Sequence, residues 1–106
     1  MFWSSRKQAD LSVENEHVVV HPTAEIGVDV SIGPFTYIGP NCRVGDWCTL
    51  HNNVSLLANT VLGENNEVYP GAVIGADPQD KKFEGEDTWV LIGDGNIIRE
   101  CVTIHL

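Results

Sequence analysis

This chain of 106 residues is poor in basic side chains. It carries 6 Lys and Arg residues against 15 Asp and Glu residues, which gives a formal net charge of −9. No Lys/Arg cluster and no interleaving of basic with aromatic residues occurs, so the sequence argues against a nucleic-acid partner. Most of such a surface repels phosphates and acidic proteins, and a site for either must therefore be locally basic.

Long apolar runs and metal-type cysteine spacing are also missing. No stretch could span a membrane and residues 1–10 have no apolar signal core, so we expect a cytoplasmic protein. The three cysteines, Cys42, Cys48 and Cys101, show no C-x-x-C spacing. We expect Cys42 and Cys48 to be buried, reduced thiols, and we expect neither a metal nor an organic cofactor.

The chain does contain an aliphatic residue at every sixth position over most of its length. A helix repeats near 3.6 residues and a half-buried strand repeats at 2, so a period of six requires a short strand plus a turn. Such a repeat predicts a solenoid. The row consists of Val20, Ile26, Ile32, Ile38, Val44, Leu50, Leu56, Leu62, Val68 and Ile74.

A second row of mostly small residues stands two positions before each aliphatic residue. Because side chains two apart on a strand point the same way, both rows should line the interior. Glycine directly follows the aliphatic residue in many repeats, where we expect a tight corner. The small row is Val18, Ala24, Val30, Thr36, Cys42, Cys48, Val54, Thr60, Asn66 and Ala72.

One interruption divides the array. The six-residue register would place Asp80 and Glu86 in the interior, where unpaired charges are costly, so this segment should leave the coil as a loop. Both rows resume with Val90 and Ile92. We therefore predict an extension at residues 1–17 and a solenoid at residues 18–106, with a projecting loop at residues 76–89.

Two segments stand out beside the repeats: the loop Pro78–Glu86, with its Gln-Asp-x-Lys pattern, and Ile98–His105, which reads Ile-Arg-Glu-x-Val-Thr-Ile-His. Together with the repeats, they resemble the bacterial UDP-N-acetylglucosamine O-acyltransferases that begin lipid A synthesis. The resemblance implies an all-β, left-handed parallel β-helix of triangular section, here about four coils long. It also implies a homotrimer with active sites in clefts between subunits.

The resemblance further implies a reaction and a set of site residues. The family transfers a 3-hydroxyacyl group from acyl carrier protein to the glucosamine 3-hydroxyl of UDP-N-acetylglucosamine, with a histidine as general base. On this sequence, Asp80 would accept a hydrogen bond from the acyl 3-hydroxyl, Lys82 would neutralise a nucleotide phosphate and Gln79 would line the cleft. His105 would lie near the substrate. The family's general base falls beyond Leu106, so we expect an N-terminal part that is inactive alone.

A non-catalytic reading stays open beside this one. The same repeats would serve a trimeric solenoid that acts only as a binding or interaction module, and binding of the UDP-sugar without turnover would distinguish it. A metal-dependent hydratase of similar fold fits poorly, because the loop offers carboxylates and lysines rather than several histidines.

Overall fold

The computed structural model describes residues 17–76 and 88–105, which form thirteen short strands joined by turns. The described part contains no helix, and therefore none that could cross a membrane. The strands are β1 Val19–Val20, β2 Glu25–Ile26, β3 Ser31–Ile32, β4 Tyr37–Ile38, β5 Arg43–Val44, β6 Thr49–Leu50, β7 Ser55–Leu56, β8 Thr60–Leu62, β9 Glu67–Val68, β10 Val73–Ala76, β11 Val90–Ile92, β12 Ile97–Ile98 and β13 Thr103–His105.

Every third strand belongs to the same parallel sheet. Face A has the order β1-β4-β7-β10-β13, face B has β11-β8-β5-β2, and face C has β12-β9-β6-β3. The chain therefore passes from A to B to C and begins a new coil, which builds a prism of four coils plus one strand. This is the left-handed parallel β-helix that was predicted, an exception to the right-handed crossover of ordinary parallel sheets.

The aliphatic row forms the core of this prism. Ile38, Leu56 and Leu62 are fully buried, and the row residues of neighbouring coils lie opposite one another in register. Row residues of the first and last coils, such as Val20, Ile92 and Ile104, are partly buried against the same core. Both interior rows are confirmed, because strand side chains two positions apart do point to one side.

Three polar members of the small row are buried, and each is hydrogen-bonded. The Thr36 hydroxyl donates to the carbonyl of His51 at 3.0 Å, and the Thr60 hydroxyl donates to the carbonyl of Ala58 at 3.0 Å. Asn66 is 1% exposed, and its side chain bonds the carbonyl oxygen of Gly93 and the amide of Asn96. The interior thus holds polar side chains without leaving them unpaired.

The corners differ from the expectation in how they use glycine. The left-handed backbone falls three residues after the aliphatic position, mostly on residues other than glycine, as at Asn41, Trp47 and Asn53 with φ near +60°. A glycine directly after the aliphatic residue answers a different demand. A Cβ at Gly39 would collide with the carbonyl oxygen of Leu57 in the next coil, so glycine permits two coils to approach there.

Candidate functional site

Residues 77–87 join β10 on face A to β11 on face B, at the corner where these two faces meet, and we call this connection the excursion. Strand β10 continues to Ala76, although the sequence assigned this residue to the loop. Gly75 has φ +85°, and a Cβ on it would lie 2.5 Å from the Ala58 carbonyl oxygen and 2.6 Å from Thr60 Oγ1. The positive φ of this glycine coincides with the register shift between Ile74 and Ala76 in the pairing of β10 with β13.

His105 lies at the base of this excursion. In the pairing of β10 with β13 it stands opposite Ala76, directly beyond the register shift, and it is exposed. Ala76 is followed at once by the segment 77–87, which contains the predicted site residues Gln79, Asp80 and Lys82. Those three residues lie outside the described part of the chain, and their roles remain predictions. The backbone register therefore places His105 beside the root of the segment that carries the others.

Asn59 attaches the returning end of the excursion, at Thr88 and Val90, to the coil below. Asn59 Nδ2 donates to the carbonyl oxygen of Thr88 at 3.1 Å, and the Val90 amide donates to the carbonyl oxygen of Asn59 at 2.9 Å. Asn59 itself has φ +49° at the corner between β7 and β8. Side chain and backbone of one corner residue thus hold the chain as it enters β11.

Further hydrogen bonds extend from Asn59 along the whole A/B corner. The Asn41 Nδ2 donates to Asn59 Oδ1 at 3.3 Å, and the Asn41 amide donates to Thr23 Oγ1 at 2.9 Å. Thr23 Oγ1 in turn lies 2.9 Å from His21 Nδ1, which also accepts the Thr23 amide at 3.1 Å. We call Thr23, Asn41, Asn59 and Thr88 the polar column; it joins the first coil to the excursion.

The B/C corner carries carboxylates in place of this column. Asp46 Oδ1 accepts the amide of Val28 at 2.9 Å, and Asp94 Oδ1 accepts the amide of Glu64 at 2.7 Å. Each carboxylate therefore caps a backbone donor of the coil below, which is a structural use of its charge. No group of side chains in residues 17–76 and 88–105 is arranged to hold a metal ion.

The C/A corner carries stacked rings. The rings of His51 and Tyr69 stack with centroids 4.7 Å apart, and the Arg99 guanidinium lies 4.4 Å from the Tyr69 centroid. His51 Nε2 is also 2.8 Å from Glu67 Oε2. We call His51, Tyr69 and Arg99 the ring column. The members of the ring column contact one another across three coils, so we assign this column no role in binding a substrate.

Two buried thiols lie close to these corners but are not nucleophiles. Burial raises the pKa of the Cys42 thiol, and the same cause raises the pKa of the Cys48 thiol. Both stay protonated at neutral pH, and a protonated, buried thiol is unreactive. The prediction that these two residues are buried and reduced is confirmed. Cys101, in contrast, is exposed.

The last coil leaves an apolar hollow at the end of the prism. It has a volume of about 370 Å³ and is lined by inward and edge residues including Ile92, Ile98 and Ile104. These are the core positions that the next coil of such a prism would cover, so the hollow continues the core and is not assigned as a ligand site.

Fold and corners together define a hexapeptide-repeat β-helix, and comparison with known proteins gives its family. The family model described as the GMPPB C-terminal domain matches residues 14–105. The chain belongs to that family of β-helical domains.

Its individual relatives are more specific. The chain is 46% identical over 92 residues to the acyl-[acyl-carrier-protein]–UDP-N-acetylglucosamine O-acyltransferase of Bartonella bacilliformis. The matched region covers 81% of this chain and 34% of that enzyme. The enzyme of the same name from a Psychrobacter species is 45% identical over 87 residues. The resemblance predicted from the sequence is therefore confirmed.

Solved structures agree with these relatives. The UDP-N-acetylglucosamine acyltransferase from Bacteroides fragilis superposes with a TM-score of 0.81 at 47% identity, covering 84% of this chain and 35% of that one. The structure of LpxA from Acinetobacter baumannii superposes with a TM-score of 0.82 at 40% identity. The chain thus spans about a third of the length of the relatives it matches.

Sequence reasoning missed the residues that attach the excursion to the prism. Asn59 stands three positions after Leu56, where most described corners have a left-handed backbone, so its identity alone signals only a turn. The available signal was its position one coil below the interruption. Its bond to Thr88 depends on the length of the excursion, which no local pattern gives.

Proposed function

We propose that this chain is part of an O-acyltransferase that transfers a 3-hydroxyacyl group from acyl carrier protein to the 3-hydroxyl of the glucosamine in UDP-N-acetylglucosamine. The step belongs to lipid A biosynthesis. The observation that carries the proposal is the pairing of Ala76 with His105, which sets the histidine at the root of segment 77–87. The relatives' names supply the donor and the acceptor.

Each site residue has a chemical role in this proposal. Asp80 accepts a hydrogen bond from the acyl 3-hydroxyl, Gln79 lines the cleft, and Lys82 acts as a point charge on a nucleotide phosphate. His105 contacts the substrate from β13. No residue of this chain is assigned as the general base, and neither a metal nor an organic cofactor takes part.

The proposal includes assembly as a homotrimer in the cytoplasm. Large aliphatic side chains on the outside of the prism support an assembly, because Leu91 is 74% exposed on face B and Ile97 is 61% exposed on face C. Apolar side chains exposed to this extent are commonly covered when subunits assemble. Sedimentation of the protein at its natural length measures the number of subunits.

The decisive experiment is transfer by the protein as its host makes it, with UDP-N-acetylglucosamine and a 3-hydroxyacyl-carrier protein. Transfer of the acyl chain supports the proposal. Binding of the UDP-sugar without any transfer would instead support the non-catalytic binding module, and absence of both would reject the acyltransferase.

Two substitutions test the assigned roles. Lys82→Ala should weaken UDP-sugar binding by about tenfold, the cost of one charge-assisted contact, and more at low salt than at high salt. Lys81→Ala removes the same charge one residue away and should have a much smaller effect. An equal loss in both variants, or a loss independent of salt, would argue against a phosphate contact by Lys82.

Asp80→Ala tests recognition of the acyl chain. The variant should lose the preference for 3-hydroxyacyl over unsubstituted acyl donors, because the acceptor for the acyl hydroxyl is removed. Asp77→Ala is the matched loss of one carboxylate. An unchanged preference in Asp80→Ala would remove Asp80 from the site.

A further inference from the structure

The first coil ends the prism with three strand edges, and we call this surface the first-coil end. In the described part of the chain, faces A, B and C finish at β1, β2 and β3. The amides of Val19, Glu25 and Ser31 donate to carbonyl oxygens of the second coil at 2.9–3.0 Å. Because successive peptide groups of a strand point in opposite directions, the amide that follows each of these points toward the first-coil end. These amides belong to Val20, Ile26 and Ile32.

Apolar side chains at the first-coil end are nevertheless well covered. Val18 is 8% exposed, whereas Val102, at the same position of face A in the opposite end of the prism, is 36% exposed. On face B, Ile26 is 2% exposed, whereas its counterpart Ile92 is only partly buried. Buried peptide groups also need hydrogen-bond partners. Both observations indicate that a further segment covers the first-coil end.

The chain enters the prism beside this surface. The ring of His17 stacks on Phe35 with centroids 4.8 Å apart, and the His17 carbonyl oxygen accepts the Phe35 amide at 3.0 Å. Residues 1–16, which lie outside the described part of the chain, are therefore joined to it at the C/A corner. Sixteen extended residues reach roughly 50 Å, and one side of the prism is a hexad of roughly 20 Å, so this segment is long enough to cross the first-coil end.

The sequence of residues 1–16 does not continue the repeat. The six-residue register would place Glu14 in the aliphatic row and Arg6 in the small row, where charges are costly. Leu11 and Val13 stand two positions apart, so in an extended segment they point to the same side. Such a segment suits a cap that covers a solenoid end rather than a further coil.

We propose that residues 1–16 fold back across the first-coil end and cap it. Leu11 and Val13 pack against the aliphatic row, and backbone carbonyl groups of the segment accept the amides of Val20, Ile26 and Ile32. The cap closes edges that would otherwise be open to pairing with strands of another chain. This role is independent of the proposed reaction.

Amide hydrogen exchange at single-residue resolution tests the cap in the protein at its natural length. Deletion of residues 1–16 should accelerate exchange at Val20, Ile26 and Ile32 by about tenfold or more, because these amides lose their cover. Exchange at the residue before each of them should change much less, since those amides bond the second coil. Unchanged exchange at all three positions would overturn the cap.

A matched pair of substitutions decides the question if the deletion variant does not fold. Val13→Ser removes an apolar side chain from the cap, whereas Val28→Ser makes the same change at a residue of the first coil that is 48% exposed. Exchange at Ile26 should be about fivefold faster in Val13→Ser and unchanged in Val28→Ser. Equal exchange in the two variants would contradict packing of Val13 on the first-coil end and overturn the proposal.

Dilution distinguishes the cap from a second copy of the chain. Protection of Ile26 that is the same at high and low protein concentration, and that is lost with residues 1–16, supports the cap. Protection that falls on dilution and survives the deletion would identify another subunit as the cover of the first-coil end and overturn the proposal.

Discussion

Removal of the buried Asn66 side chain should destabilise the prism more than any other single truncation of a polar group in the small row. Asn66 Nδ2 donates to the carbonyl oxygen of Gly93 at 2.7 Å, and Asn66 Oδ1 accepts the amide of Asn96 at 2.7 Å. Both partners belong to the next coil. The Asn66 side chain therefore bonds one backbone carbonyl and one backbone amide of the next coil at the corner between faces B and C.

The magnitude follows from the two groups that Asn66→Ala leaves without a partner. Gly93 and Asn96 are exposed, so water replaces part of what is lost, and two hydrogen bonds at about 0.5–1.5 kcal/mol each give a loss of about 1–3 kcal/mol. A domain of this size has about 5–15 kcal/mol of stability in total. With an m-value of about 2 kcal/mol/M in urea, the unfolding midpoint should fall by about 0.5–1.5 M.

Equilibrium unfolding in urea, followed by far-ultraviolet circular dichroism, measures this change. Asn96→Ala is the matched control, because the exposed Asn96 side chain makes one long bond of 3.4 Å to the Asp94 carbonyl oxygen while its amide is kept. The control should lose less than about 1 kcal/mol. A loss that small in Asn66→Ala, at an unchanged m-value, would refute the assignment of Asn66 as the pairing group for the next coil.

Other substitutions test the core, the thiols and the approach of the coils. Ile32→Asp buries a charge at a position 5% exposed and should unfold the array; an unchanged melting temperature would reject the hexad assignment. Burial raises the pKa of the Cys42 and Cys48 thiols, so the folded protein holds their protons more tightly than the unfolded chain does. The stabilisation that results is complete below the ordinary pKa of 9.0 and is lost as the pH rises through the raised pKa values. The free energy of unfolding, measured in urea from neutral to alkaline pH, should therefore decline less in a Cys42→Ala/Cys48→Ala variant than in the unsubstituted protein. An identical decline in both proteins would contradict burial of the thiols. Gly39→Ala should cost about 1–3 kcal/mol through collision with the next coil, whereas Gly93→Ala, with nothing within 4 Å, should cost little; equal melting temperatures would refute the steric argument.

The core of this protein could be predicted from the sequence because one spacing determines it. An aliphatic residue every six positions, such as Ile38, Val44 and Leu50, leaves a short strand and a turn as the only regular solution, and the structure buries all three. Handedness did not follow from the spacing and came from the family resemblance. A mirror-image arrangement would place the same residues inside.

The change of face across residues 77–87 could not be predicted from the same pattern. Ile92 follows Ile74 by a whole number of hexads, so the six-residue spacing continues unchanged and does not reveal that the two residues lie on different faces. In the structure Ile74 lies on face A, while Ile92 lies on face B and pairs with Leu62. Bonds between neighbouring coils join residues 18 apart below the excursion and 30 apart across it. That length decides which backbone carbonyl meets Asn59.

The three different corners solve a problem that a perfect repeat creates. If one coil slid by six residues against the next, every aliphatic side chain would still meet another aliphatic side chain, so the core alone cannot select the phase of stacking. The corners would then be mismatched, with hydroxyls and amides of the polar column set against carboxylates, and carboxylates set against the rings of the ring column. The corners of the prism therefore fix the stacking register that the core alone does not determine, and they keep His105 opposite Ala76 rather than one face away.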